Sequence, residues 1–485
     1  MAGDSAAMNW FKAKTIHFTG IKGVGMAALT GIALDQKKIV SGSDTAEVFP
    51  TDAWLKTTKA KIKIGFEAAH LPKNCDLLVY TGAHQGLSNP EVLAAKKRGI
   101  ATLNYAQALA QVSQRKTLLA TSGVGGKSTT ASLLATILES AGAKPSWAIG
   151  VGGLAPLGQP GCWRNAGQYL VAETDEFVAD PSGDLTPKFH YLNPAVAIIT
   201  NLEHDHPDIY PTLNDVYASF TAFAKRVVPD GIVIVNIDNP HIQAWVKTLD
   251  RPDCAGRPVL TYGFSPRADW QISASHTAME KQIFSLRYQR MDYKDLVLNL
   301  PGHYNLLNAA AAFAAAHYLG FDPEKLKLGL KLFTGTKRRF ELVADINQIR
   351  LYDDYAHHPL EIQAVLAAAR DWLPRRRLVV IFQSHTYSRT KALLPQFVSS
   401  LAAADVILIN DIFGSARETE TLGISGQILA NLIKAKHRQT FYAPGQAATL
   451  TRLKILLQPN DVVLTLGAGN NWLWHKEIIK LLRSR

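Results

Sequence analysis

The stretch Thr121–Thr130, TSGVGGKSTT, is a glycine-rich turn closed by a lysine and a run of hydroxyls. It falls where a short apolar strand (117–120) gives way to a helix-forming run (129–140), which predicts strand, turn and helix in that order. In such a setting glycines let the backbone approach a polyphosphate, and N–H groups at the helix start point towards it. Lys127 adds a mobile charge and Ser128 a hydroxyl suited to Mg²⁺. The full phosphate-loop pattern wants a further glycine where this chain has Thr121, leaving the shorter Gly123-x-x-Gly126-Lys127-Ser128. Two readings are therefore open, a phosphate-binding loop or a glycine turn with a solvated lysine.

Strand–helix alternation extends to both sides of this loop. Upstream, a strand at 15–18 leads into Gly20-Ile-Lys-Gly23-Val-Gly25 and a helical run at 26–34, and a second strand near 38–41 runs into Ser43-Asp44. This βαβ layout, with an acid about 20 residues past the turn, belongs to Rossmann-type halves. Lys22 stands where a glycine would tighten the turn, so the segment either binds a nucleotide or merely turns. Downstream, two strands end in polar clusters, Glu173-Thr-Asp175-Glu176 and Thr200-Asn201-Leu-Glu203-His204-Asp205-His206. Ligands of open parallel sheets bind beyond the carboxyl ends of strands, so both clusters are expected on the edge that carries the loop. Their oxygens suit Mg²⁺; the alternative is that they cap helices and solvated turns.

Short alternating strands between 259 and 300 suggest a small antiparallel annex, followed by Asn305 and Asn308 at the start of an alanine-rich helix. These asparagines either cap the helix or hold the edge of a base. Beyond residue 335 the alternation resumes, and Asp353-Asp354-Tyr355-Ala-His357-His358 and Gln383-Ser-His385-Thr-Tyr387-Ser-Arg389 follow apolar strands. The expected fold class is α/β in three domains. They comprise a Rossmann-like N-terminal domain (1–112), a central P-loop-type parallel sheet with the annex (113–335), and a Rossmann-like C-terminal domain (336–485).

Composition narrows the classes. A length of 485 residues exceeds one core. Cys75, Cys162 and Cys254 are too scattered for a metal site, in keeping with a reducing compartment. Residues 1–9 lack the apolar core of a signal peptide, and no apolar run reaches membrane-spanning length, so a cytoplasmic protein without membrane insertion is expected. The net charge of +12 suits nucleic acid or polyanionic small substrates. The densest basic run, Arg375–Arg377, directly precedes an apolar strand, where solvated side chains are expected.

Eleven segments in order resemble the Mur ligases of peptidoglycan synthesis: IHFTGIKGVGMAAL with SGSD, GGKSTT, ETDE, TNLEHDHPDIY, TYGFSPRAD, PGHYNLLNAAAA, GTKRRFE, YDDYAHHPLE, FQSHTYSRT, DIFGSARE and LGAGN. The resemblance spans nearly the whole chain. It implies an enzyme that uses ATP and Mg²⁺ to join L-alanine to the carboxylate of UDP-N-acetylmuramate through an acyl phosphate. Its partners would be small molecules and not nucleic acid, and the chain a monomer or homodimer. By the same resemblance Gly123, Gly125, Gly126, Lys127, Ser128 and Thr129 would cradle the phosphates, with Asn305 on the adenine. Arg339 and Asp354 would complete the ATP site from the third domain. Metal contacts would fall to Ser128, Glu173 and His206, and catalysis to Lys127, Glu173, His206 and Arg339. The UDP group would lie on Gly20, Gly23, Gly25, Ser43 and Asp44, and the amino acid among Tyr355, His357, His385 and Arg389.

The chain departs from the family pattern at Gly125, where a histidine is usual, at Lys22 and at Tyr304. Thr386 takes a common arginine place, and the segment 177–189 is longer than in alanine-adding members. The last two features leave a second acceptor open, the preformed tripeptide attached by muropeptide-recycling members. Of the rivals from other classes, a nicotinamide oxidoreductase leaves Lys127 and the acid clusters idle, and a nucleic-acid-stimulated NTPase would need phosphate release that rises with added DNA or RNA, which is not expected.

Overall fold

Five parallel strands form the first sheet, in the order Lys61–Ile64, Ile39–Asp44, Thr15–Thr19, Leu77–Tyr80, Ala101–Asn104. Its two central strands are buried on both faces, so Leu77–Tyr80 reads as an unbroken apolar run, while Thr15–Thr19 buries Thr15, His17 and Thr19 alongside Ile16 and Phe18. The strand order reverses beside Thr15–Thr19, so the turn at Gly20 and the turn after Tyr80 flank a crevice at the carboxyl edge. This is a computed structural model describing residues 8–204, 206, 209–249, 256–414, 418 and 420–484.

The second sheet has ten strands, and Thr117–Ser122 runs parallel between Tyr169–Glu173 and Val196–Ile199. Register sets the chemistry: Thr121 pairs with Glu173 on one side and Ile198 on the other, so both acid-bearing strands end beside the glycine turn. The annex strands Trp270–Ala278, Lys281–Tyr288 and Met291–Leu298 continue this same sheet. The alanine run of the helix His303–Tyr318 is wholly buried, where small side chains permit close packing.

The third sheet orders its six strands Glu341–Ile346, Ile349–Asp354, Val462–Leu466, Leu378–Phe382, Val406–Ile409, Thr440–Tyr442. All pairs are parallel except the first, a hairpin whose tight turn carries Asn347 and Gln348 at positive φ. Arg377 is not a solvated side chain before its strand: its guanidinium grips buried Asp461 through two bonds of 2.9 and 2.8 Å.

Two compact units emerge. One comprises Met1–His276, Ile283–Asn299 and Asn305–Lys337; the other comprises Thr277–Gln282, Leu300–Tyr304 and Arg338–Arg485. The first two expected segments thus share a unit. Within it the helix Val24–Asp35 lies so close to Gly161 that a Cβ there would strike the backbone of Ala28.

Candidate active site

The turn after Thr117–Ser122 requires glycine at two positions. Gly123 and Gly126 have φ of +118° and +83°, and a Cβ on Gly126 would lie 2.5 Å from Asn308 Oδ1. Gly125 has no such requirement, since its Cβ would meet only Asn201 Nδ2 at 3.4 Å. The loop is held instead from the neighbouring strand. Gly125 N–H donates to Asn201 Oδ1 at 2.8 Å, and Thr200 Oγ1 donates to the Gly125 carbonyl at 2.5 Å. Asn308 Oδ1 accepts from Thr130 Oγ1 at 3.1 Å, and Asn308 Nδ2 donates to Asn305 Oδ1 at 3.1 Å. The asparagine pair is therefore buried against the start of the loop helix Lys127–Ser140, where Thr129 is buried as well.

Lys127 Nζ lies 3.4 Å from Glu176 Oε2, both side chains largely buried. Burial alone would depress the lysine pKa, but Glu176, Asp175 and Glu173 outweigh it and hold the ammonium charged well above its usual range. Glu176 is pushed up by burial and by Asp175, whereas burial of Asp175 is overcome by Lys188, at 2.8 Å, and Lys127, which hold it well down. Ser128 Oγ donates to Glu173 Oε1 at 2.9 Å, and Gly150 N–H to Glu173 Oε2 at 2.7 Å. His206, at φ +57°, rests its ring on Phe177 at 4.7 Å and acts on Glu176. Asp205 of the same cluster lies outside the described residues.

In the first crevice Gly20 turns at φ +71°, and a Cβ on Gly25 would press on Tyr105 at 2.9 Å. Ser43 and Asp44 are fully buried and internally bonded. The Ser43 hydroxyl donates to Glu91, and the Asp44 carboxylate accepts from the amides of Lys22 at 2.7 Å and Thr45 at 2.8 Å. Lys22 is a clamp in its own right. Its ammonium reaches the Thr45 carbonyl at 3.0 Å, the Glu47 carbonyl and, at 3.6 Å, Asp52. Glu91, buried at a helix start and bonded to Ser43 and His17, is a key residue of this region that its sequence context, an ordinary Asn-Pro-Glu helix cap, did not distinguish.

In the second unit Asp354 is buried and accepts from Phe340 N–H at 2.8 Å and Ala356 N–H at 2.7 Å. Burial pushes it up to about 6, against the pull of Arg339. Arg339 stands 5.6 Å from the Tyr355 ring. His357 stacks edgewise on Tyr355 at 5.1 Å, lies 6.2 Å from His385, and pairs with Glu361 at 3.6 Å. Burial lowers its pKa, with Arg389 and Arg339 acting in the same direction. Tyr355, His357, His385, Arg339 and Arg389 thus gather at the carboxyl ends of two strands, with Glu361 as an acid the sequence did not single out. The other arginine of the pair, Arg338, is turned inward onto Asp353 at 3.0 Å and the Gly467 carbonyl at 2.6 Å.

Three family descriptions match this chain in order. They are the Mur ligase family, catalytic domain, over residues 15–117, the Mur ligase middle domain over 122–316, and the Mur ligase, glutamate ligase domain, over 338–469. The chain belongs to the Mur ligase family. It is 36% identical to the UDP-N-acetylmuramate–L-alanine ligase of Desulforamulus reducens over 482 residues, covering 98% of this chain and 99% of the relative. The fold is similar to the UDP-N-acetylmuramate-alanine ligase of Thermotoga maritima, with a TM-score of 0.80, 23% identity, and 97% and 99% of the two chains covered. It is also similar to a murein peptide ligase of Psychrobacter arcticus, with a TM-score of 0.69, 23% identity, and 97% and 99% covered.

For a Mur ligase the donor set around the loop is the relevant test of a metal. Ser128 Oγ and Glu173 Oε1 are adjacent oxygens beside the glycine turn, and Mg²⁺ is commonly held by one or two protein oxygens with phosphates and water completing the shell. The chemistry fits. Among the described residues no group of three His, Cys, Asp or Glu is placed to hold a metal, and His206 faces Glu176 and Phe177.

Proposed function

We propose that this Mur ligase joins L-alanine to the lactyl carboxylate of UDP-N-acetylmuramate at the expense of ATP. The observation that supports it most is Lys127, buried beside three carboxylates at a glycine turn, in a chain similar end to end to relatives named for this reaction. A carboxylate oxygen of the donor would attack the γ-phosphorus and ADP would leave. The amine would then attack the acyl carbon, and phosphate and a proton would leave.

Both reacting partners of the first step are anions, so the residues' work is charge compensation and positioning. Lys127 would exchange part of its pairing with Glu176 for the transferring phosphoryl group. Ser128 and Glu173 would hold Mg²⁺, which supplies further neutralisation of the phosphates. Arg339 would add positive charge, and Arg389 would grip the carboxylate of the amino acid as a planar fork. Gly20, Gly23 and Gly25 would receive the UDP group. Among the described residues no helix is long and apolar enough to cross a membrane; a reaction that draws on ATP and a nucleotide sugar suits the cytoplasm.

The test is phosphate release by the purified chain given ATP, Mg²⁺ and UDP-N-acetylmuramate, with L-alanine, L-serine, glycine or the tripeptide offered separately. The long 177–189 segment keeps the tripeptide in the panel. Release with L-alanine is expected to exceed that with the others; release without a nucleotide-sugar donor, or none with any acceptor, would refute the reading.

A further inference from the structure

A two-stranded hairpin that follows the central-sheet strand Tyr169–Glu173 shapes the first crevice. The strands Val178–Asp180 and Asp184–Pro187 form a hairpin. Asp180, fully buried, accepts from Leu87 N–H at 3.1 Å and from Ser182 N–H at 2.9 Å. It occupies a slot that exists only because residue 86 is glycine, since a Cβ on Gly86 would strike the Asp180 carboxylate. A Cβ on Gly82 would lie 2.7 Å from the Ala179 carbonyl, and Asn104 Nδ2 donates to Asp184 Oδ2 at 2.8 Å. The hairpin is thus fastened to the ends of two first-sheet strands, Leu77–Tyr80 and Ala101–Asn104.

What it fastens is strained. His84, Gln85 and Gly86 follow one another at φ of +52°, +72° and +48°, a run that side-chain-bearing residues adopt only where the surroundings impose it. The strain aims the His84 ring across the switch point of the sheet. The ring lies 3.5 Å from where a Cβ on Gly20 would be, its Nε2 is 3.7 Å from Asp44 Oδ1, and it stacks on Phe66 at 4.8 Å. The His84 side chain is 30% exposed, whereas that of Asp44 is 1% exposed. The imidazole thereby stands beside the Gly20 turn, which leads into the helix Val24–Asp35, whose N-terminus favours a pyrophosphate.

We propose that His84 binds a phosphate oxygen of the nucleoside diphosphate in the first crevice, and that Asp180 is the residue that positions it. The proposal rests on the donor being a nucleotide sugar. It gives the long 177–189 segment a role in the donor site.

The experiment is calorimetric titration of the full chain with UDP in saturating ADP, which keeps the phosphate loop filled, together with a separate titration with ADP. His84→Ala is expected to weaken UDP about tenfold, the loss of one hydrogen bond to a charged group, with ADP unaffected. Asp180→Ala should weaken UDP comparably, the double variant no further than His84→Ala alone, and Asp180→Asn, which keeps an acceptor oxygen, should recover most of the affinity. Unchanged UDP affinity in His84→Ala, or losses that simply add in the double variant, would overturn the proposal. So would loss of ADP binding in both Asp180 variants, which would make the hairpin a support for the whole unit. A parent chain that binds ADP but not UDP refutes the nucleotide-sugar reading itself.

Discussion

Replacing Gly126 by alanine separates the glycines the phosphate loop needs from the one it does not. The left-handed backbone at Gly126 costs an alanine about 1–2 kcal/mol. Its Cβ would also stand 2.5 Å from Asn308 Oδ1, so Asn308 must move and release the Thr130 hydroxyl, which is buried. Stranding that hydroxyl adds about 1–3 kcal/mol. Restoring the loop on nucleotide binding would then cost about 2–5 kcal/mol, or roughly 30-fold to several thousand-fold in kcat/KM for ATP. Gly125→Ala meets only Asn201 Nδ2 at 3.4 Å and keeps the N–H bond to Asn201, so a change within about twofold is expected. The assay is phosphate release against ATP concentration at saturating donor and acceptor. Equal losses in the two variants, or a Gly126→Ala enzyme with normal kcat/KM, would refute the account of how this loop is held.

Lys127→Ala should abolish product while UDP still binds, and normal turnover would sink the phosphoryl-transfer role. Asp354 offers a pH test. Its folded pKa of about 6 lies above the ordinary carboxyl value, so its contribution to stability is complete below about pH 4 and is lost as pH rises through 6, on the order of 3 kcal/mol in all. Thermal unfolding between pH 4 and 7 should show the parent falling relative to Asp354→Asn; a constant difference would contradict the burial argument. On the proposed reaction, which must keep water from an acyl phosphate, ATP analogue plus donor should compact the molecule in solution scattering, and unchanged profiles under saturation would count against closure.

The parts of this site legible in the sequence are those fixed locally. Strands buried on both faces read as apolar runs, and polar residues at their carboxyl ends announce the functional edge, as at Glu173 and Asp354. What stayed hidden depends on register and on contacts between distant segments. Arg338 and Arg339 are indistinguishable as neighbours in the chain and both stand over the Tyr355 ring, yet Arg338 is locked onto Asp353 and the Gly467 carbonyl whereas Arg339 acts on Asp354 and His357. Glu91 and Asp180 gain their roles only from partners 48 and 93 residues away. Lys22 and Gly125 show the same limit from the other side, since each breaks the family pattern locally. Lys22 spends its charge on carbonyls and Asp52, tying the first turn to the segment after Asp44. At Gly125 the loop needs no side chain, because Thr200 takes its carbonyl and Asn201 its N–H. The conformation is therefore stored in the neighbouring strand, and Asn201→Ala should damage the loop more than any small substitution at Gly125.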